Sequence, residues 1–120
     1  MDQNPEWSVE FYVDARGNSP VLQFLGALSE ANRAKVARVL AFVREFGPLL
    51  RMPHVRRVGE LWELRPGAIR LFYFRHTARR FVILHGFRKK TQRTPRKEMA
   101  LARRRLADFL ERQRHESKDR

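Results

Sequence analysis

The sequence contains no cysteine among its 120 residues. That excludes a disulfide framework and any thiolate metal centre, and it fits a reducing cytoplasm, the compartment expected here. No apolar run approaches the roughly 20 residues that span a bilayer, so no membrane partner is expected. The opening residues, MDQNPEWS, are polar and acidic, unlike the basic and then apolar start of a secretory signal. Internal repeats, linkers and low-complexity stretches are missing. Carboxylates are scarce: between residues 49 and 97 only Glu60 and Glu63 are acidic. With no carboxylate pair or histidine cluster at ligand spacing, neither a metal nor another cofactor is expected.

Positive charge is abundant. The net charge is +13, and residues 49–97 alone hold 14 basic and 2 acidic side chains, net +12. Like charge gathered on one stretch repels itself, and a polyanion partner relieves that repulsion. A surface kept basic only for solubility would intersperse both signs. At 42% hydrophobic the chain can bury a core. Its length suits one domain, residues 1–110, with the polar residues 111–120 expected to fray.

The organising stretch runs from Leu61 to Arg96: LWELRPGAIRLFYFRHTARRFVILHGFRKKTQRTPR. Strand side chains alternate faces. In Leu61–Arg65, Trp62 and Leu64 oppose Leu61, Glu63 and Arg65. Pro66-Gly67 is a turn signal. Ile69, Leu71 and Tyr73 then share one face, and Arg70, Phe72 and Phe74 the other. Phe81–Phe87 is apolar on both faces (Phe81, Ile83 and Phe87 against Val82 and Leu84), which suits a central strand. The expected object is an antiparallel meander with helices on one face and an open face of arginines and aromatics.

Upstream, Trp7–Val13 has strand composition and is expected to pair with the meander. Ser19-Pro20 reads as a helix start, followed by a stripe of Leu22, Phe24, Leu25 and Leu28. Ser29 reads as the cap of a second helix that ends at Gly47-Pro48, with Val36, Val39, Leu40, Val43 and Phe46 on its apolar side. These two helices form a hairpin on one sheet face. A short strand is expected at His54–Val58. Downstream, Thr94-Pro95 opens a last helix striped by Met99, Ala102, Leu106, Phe109 and Leu110, with Arg103, Arg104 and Arg105 mostly off the stripe. The fold class is α+β.

Cleavage of RNA by its own 2′-hydroxyl needs a base, an acid and charge stabilisation on phosphate, and no metal. Arg70 is the leading electrostatic candidate, a charge in mid-strand between apolar neighbours. Arg65 is similar but nearer the turn. The plain alternative for Arg70 is a surface pair with Glu63. Phe72 and Phe74 beside arginines could stack bases on an open sheet, with Arg75 next to them; otherwise they pack under the last helix. His85, near the end of the central strand, is the histidine candidate, against the reading of a satisfied core residue. His76 and His54 read as solvated bystanders. Arg88, Lys89, Lys90 and Arg93 form the densest cationic turn, ahead of a helix N-terminus where phosphate is favoured.

These residues, LWELRPGAIRLFYF and then FVILHGFRKKTQRTPRKEMALARRR, resemble the RelE/HigB superfamily of type II toxin–antitoxin toxins, in particular its phage-derived HigB-like branch. The resemblance spans Val9 to Leu110, and HGFRKKTQRTP is its most specific part. It implies a RelE-like fold: a small, mostly antiparallel sheet, an N-terminal helix hairpin on one face and a C-terminal helix. It implies a metal-independent endoribonuclease, an mRNA interferase that acts on ribosome-bound mRNA. It also implies an antitoxin partner, of the helix-turn-helix, DNA-binding kind. By position, the family's strand arginine after the turn falls at Arg70 and its basic residues after the last strand at Arg88, Lys89 and Lys90. Together with the reading of the residues themselves, the catalytic candidates are Arg70, Lys89, Lys90, His85 and Arg65, and the RNA-binding candidates are Arg88, Arg93, Phe72, Phe74 and Arg75. Leu61 and Glu63 stand where RelE carries lysines. The alternative is a nucleic-acid-binding module that uses the same basic face without catalysis.

Overall fold

The computed structural model describes residues 7–49, 55–77, 79–90 and 95–118. Five strands form one sheet, in the order β1-β5-β4-β3-β2: β1 Ser8–Phe11, β2 Val55–Val58, β3 Leu61–Leu64, β4 Ile69–His76 and β5 Arg80–Arg88. Strands β2 to β5 are an antiparallel meander, as their turn signals predict. Strand β1 joins the far edge parallel to β5. A parallel neighbour needs a crossover, and helices α1 (Pro20–Gly26) and α2 (Glu30–Phe46) lie between β1 and the meander.

Both helix starts form as expected. Ser19 accepts a bond from the Leu22 N–H and Ser29 from the Asn32 N–H. Gly47 ends α2 at φ +52°, and a Cβ there would collide with the Trp7 indole. Two constraints therefore require glycine: a left-handed backbone and a ring packed against it.

Helices α1 and α2 cover one sheet face. Val36, Val39, Leu40 and Val43 meet Leu64, Ile69, Leu71, Tyr73, Phe81 and Ile83 there. In α1 the stripe is shifted from expectation: Val21 is buried and Leu22 is exposed, with Phe24, Leu25 and Leu28 packed as predicted. The other face is not open. Helix α3 (Arg96–Lys118) lies across it and seals Phe72, Phe74, Val82, Leu84 and Phe87 under Met99, Ala102, Leu106 and Phe109. Leu110 stays exposed.

Helix α3 continues to Lys118, into the stretch expected to fray. Arg112 pairs with Asp108 and donates to the Val13 carbonyl, and Glu111 pairs with Arg114 and His115. Polar residues thus carry the helix on, through i,i+3 and i,i+4 contacts and a return to the β1 end. The expected strand residue His54 lies outside the described residues, and β2 begins at Val55.

Candidate nucleic-acid interface and acid–base cluster

A bulge in β5 builds the site. Phe72 of β4 pairs with His85, but Tyr73 pairs with Ile83. Leu84 is therefore an extra residue on β5, and the alternation slips by one. Without the slip, His85 would share the face of Phe81 and Ile83, beneath α1 and α2. With it, His85 and Phe87 join Arg70 and Phe72 on the α3 face, which re-aims a side chain in the manner typical of bulges. Phe87 thus sides with Val82 and Leu84, contrary to the strict alternation of the sequence reading.

His85 is 9% exposed. Its Nε2 lies 2.7 Å from Glu98 Oε1, in the first turn of α3. Its Nδ1 lies 3.1 Å from Arg105 Nη1, which also donates to the Leu84 carbonyl at 3.0 Å. A guanidinium can only donate. Nδ1 is then the acceptor, and the ring proton sits on Nε2, facing the carboxylate. Burial pushes the His85 pKa down and Arg105 adds to this, while the Glu98 hydrogen bond pulls the other way. Arg105 is thus drawn inward, where the sequence pattern placed it mostly off the buried stripe.

Arg70 is 8% exposed, beside Phe87 in register. Its Nη1 donates to the Gly67 carbonyl at 2.7 Å and the Ile69 carbonyl at 2.9 Å, folding back over its own turn. Among the described residues its buried Nε has no hydrogen-bond partner. Burial lowers its pKa, Arg65 lowers it further, and Glu63 opposes both. The alternative reading of Arg70, a direct surface pair with Glu63, is not what forms: the carboxylate of Glu63, itself buried, lies 3.9 Å from Arg65. Arg70 and His85 are diagonal neighbours across β4 and β5, a Cα spacing of roughly 7–8 Å in a sheet.

The remaining candidates divide. Arg65 lies at the edge of this cluster, partly exposed. Lys89 is half-buried and its N–H donates to the Ala68 carbonyl at 2.8 Å; Lys90 is exposed. Phe72 and Phe74, 0% and 7% exposed, are covered by α3 and cannot stack bases in this arrangement. Arg75 pairs in register with Phe81 and lies over the Trp62 ring, on the opposite face from Arg70. Arg88 pairs with Ile69 and so also alternates away from Arg70, at the exposed rim. His76 contacts Phe109 edge-on. Arg93 and His54 lie outside the described residues.

Sequence reasoning missed Glu98 and Arg105. Their signal was present but long-range: a carboxylate in the first turn of the last helix, and an arginine seven residues later on the same side. It also missed Tyr12, whose hydroxyl meets Asp108 Oδ2 at 2.5 Å beneath Arg105 and Arg112. Among the described residues no three His, Asp or Glu side chains gather where they could hold a metal ion, and no helix is long and apolar enough to cross a membrane.

The family model described as Phage derived protein Gp49-like (DUF891) matches residues 23–107. No curated protein matches the sequence. Among solved structures, a chain of the archaeal RelE–RelB complex from Pyrococcus horikoshii OT3 is similar at TM-score 0.53 and 19% identity, covering 69% of this chain and 94% of that one. A chain of the toxin–antitoxin complex RelBE2 from Mycobacterium tuberculosis is similar at TM-score 0.43 and 22% identity, covering 70% of this chain and 99% of that one. The archaeal likeness shows that the fold is RelE-like, as the sequence resemblance implied.

Proposed function

We propose a function from the premise that the chain belongs to the Gp49-like family of phage-derived proteins: it is the toxin of a type II toxin–antitoxin pair, and it cleaves ribosome-bound mRNA without a metal. The observation that carries this reading is Arg70, a buried guanidinium with an unpartnered Nε on the same sheet face as His85 and Glu98. A charge held out of water with donor capacity to spare is suited to an anion that arrives from outside. The RelE-like fold and the +12 charge of residues 49–97 support it.

In the proposed reaction Arg70, with Lys89, Lys90 and Arg65, stabilises the charge that develops on the phosphate. Phosphate entry draws Arg105 from the neutral His85 Nδ1 to a phosphate oxygen. Nδ1 then accepts the 2′-hydroxyl proton, and Glu98 stabilises the imidazolium as a carboxylate does in a catalytic triad. The 2′-oxygen bonds to phosphorus, the bond from phosphorus to the 5′-oxygen breaks, and the imidazolium returns its proton to that oxygen. The products are a 2′,3′-cyclic phosphate and a 5′-hydroxyl. Arg88 contributes RNA affinity from the rim, and Arg93 is proposed to add to that affinity through its charge. The proposed protein partner is a cognate antitoxin of the helix-turn-helix, DNA-binding kind.

The test incubates purified protein with mRNA, alone in EDTA and in a translating ribosome system, and maps the new 5′ ends by primer extension. Cuts only on translated mRNA, reduced about 10²–10³-fold in Arg70→Ala, are the expected result. Cuts on free RNA would refute the ribosome step, and no cuts from folded, antitoxin-free protein would refute catalysis. The second reading, a binding module without catalysis, draws on one observation: both ring nitrogens of His85 are engaged, by Glu98 and by Arg105.

A further inference from the structure

A second cationic and aromatic surface lies on the face opposite the Arg70–His85 cluster. In register, Arg57 of β2 pairs with Trp62 of β3, and Trp62 pairs with Tyr73 of β4. These side chains share the face that α1 and α2 cover only further along the sheet. The Arg57 guanidinium lies 4.8 Å from the Trp62 ring centroid, and the Arg75 guanidinium lies 5.4 Å from the same ring. Both arginines are exposed and Trp62 is half-buried. Arg57 Nε donates to the Gly59 carbonyl at 2.7 Å, which holds its plane in place. Beside the stack, Gly47, Pro48, Trp62, Tyr73 and Arg75 line a small, shallow, open depression.

The charge here is uncompensated. Among the described residues neither Arg57 nor Arg75 has a carboxylate within salt-bridge distance, whereas Arg65, Arg80, Arg103, Arg112 and Arg114 each have one. Stacking on an indole stabilises an exposed guanidinium by about 0.5–1 kcal/mol and leaves all its outward donors unused. Planar, pre-oriented guanidiniums bind phosphate with two parallel hydrogen bonds. A ring flanked by such cations is the composition that takes up single-stranded nucleic acid, because every base offers a π-face.

We propose that Arg57, Trp62 and Arg75 form a second RNA-contacting surface, separate from the cleavage cluster, which holds a single strand through two phosphates and one base lodged against Trp62. The surface does not depend on cleavage, since it requires only that RNA be the polyanion for which the basic stretch is built. An acidic peptide would meet the charge but not the flat stack.

The chain has two tryptophans, Trp7 and Trp62, so fluorescence isolates the site. The probe is a 12-nucleotide single strand, 2′-O-methylated throughout and so resistant to 2′-hydroxyl cleavage; binding is followed by anisotropy and by tryptophan emission. In Trp7→Phe the emission is expected to quench on binding. In Trp62→Phe, which keeps a ring in place, the quench is expected to vanish while the probe still binds. Each phosphate contact on a single strand contributes about −0.7 to the slope of log affinity against log salt. Arg57→Ala/Arg75→Ala is therefore expected to flatten the slope by about 1.4. An unchanged slope, or a Trp62 emission that ignores bound RNA, would overturn the proposal. So would polyglutamate of equal charge quenching Trp62 at equal or lower concentration, which would assign the surface to an acidic protein. None of these readouts involves cleavage, so a failed cleavage assay leaves them intact.

Discussion

Phe72→Ala tests whether α3 truly closes the sheet face. Phe72 has no exposed surface, pairs in register with His85 and Glu63, and lies 5.5 Å ring to ring from Phe87. Truncation removes the buried ring and leaves a cavity between β4 and α3 with no backbone change to fill it. Phe→Ala changes in such cores cost about 3–5 kcal/mol. For a domain of this size that is a fall in Tm of roughly 10–20 °C. The assay is a urea melt followed by circular dichroism, with Phe72→Leu as a milder truncation that keeps an apolar side chain, expected to lose less than Phe72→Ala because the cavity left is smaller. RNA affinity of folded Phe72→Ala is expected to match the parent. A loss below about 1 kcal/mol together with weakened RNA binding would refute the closed face and restore the stacking role that the sequence pattern suggested.

Other outcomes follow from the same geometry. The folded-state pKa of His85 is depressed, so as pH falls below about 6.5 the unfolded chain takes up a proton that the native chain refuses. Stability is then full above that pH and lost as pH falls towards the folded value; melts from pH 7 to pH 5 are expected to show this. His85→Gln is expected to flatten the trend but not abolish it, because the His76 pKa is depressed too; an unchanged trend would exclude His85 as a source. Gly47→Ala meets both a positive φ and the Trp7 indole; it is expected to destabilise by more than about 1 kcal/mol, and a stability equal to the parent's would contradict the packing of Trp7 on that turn. Tyr12→Phe is expected to cost about 0.5–1.5 kcal/mol in denaturant melts, since Asp108 keeps its bond to Arg112.

The local chemistry of the chain was legible in advance. Ser19, Ser29 and Gly47 mark helix ends by satisfying or releasing backbone groups within a turn of themselves, so their meaning travels with the residue. The meander was legible because Pro66-Gly67 and the alternation of Ile69–Phe74 are also near-neighbour signals. The cluster of charge on residues 49–97 needed only counting.

The site was legible in part. Arg70 was identifiable as a charge among apolar strand neighbours, and His85 as a histidine in a central strand. Which face His85 serves was not, because one unpaired residue, Leu84, reverses the parity of everything after it, and no local pattern distinguishes a bulge from a continuous apolar strand. Arg105 reads as a surface arginine beside two others. It becomes a partner of His85 only because α3 crosses the sheet where the bulge presents the ring. The aromatics of β4 read the same whether a face is open or covered, since burial of the α3 face depends on a helix about 25 residues downstream. Sequence alone therefore determined the elements, their caps, the antiparallel order and the basic character of one half. The tertiary structure decided which face is sealed, which arginines stay free on the other, and that a carboxylate and a guanidinium meet on the two nitrogens of one histidine, because those contacts join segments whose separation in sequence carries no record of their distance in space.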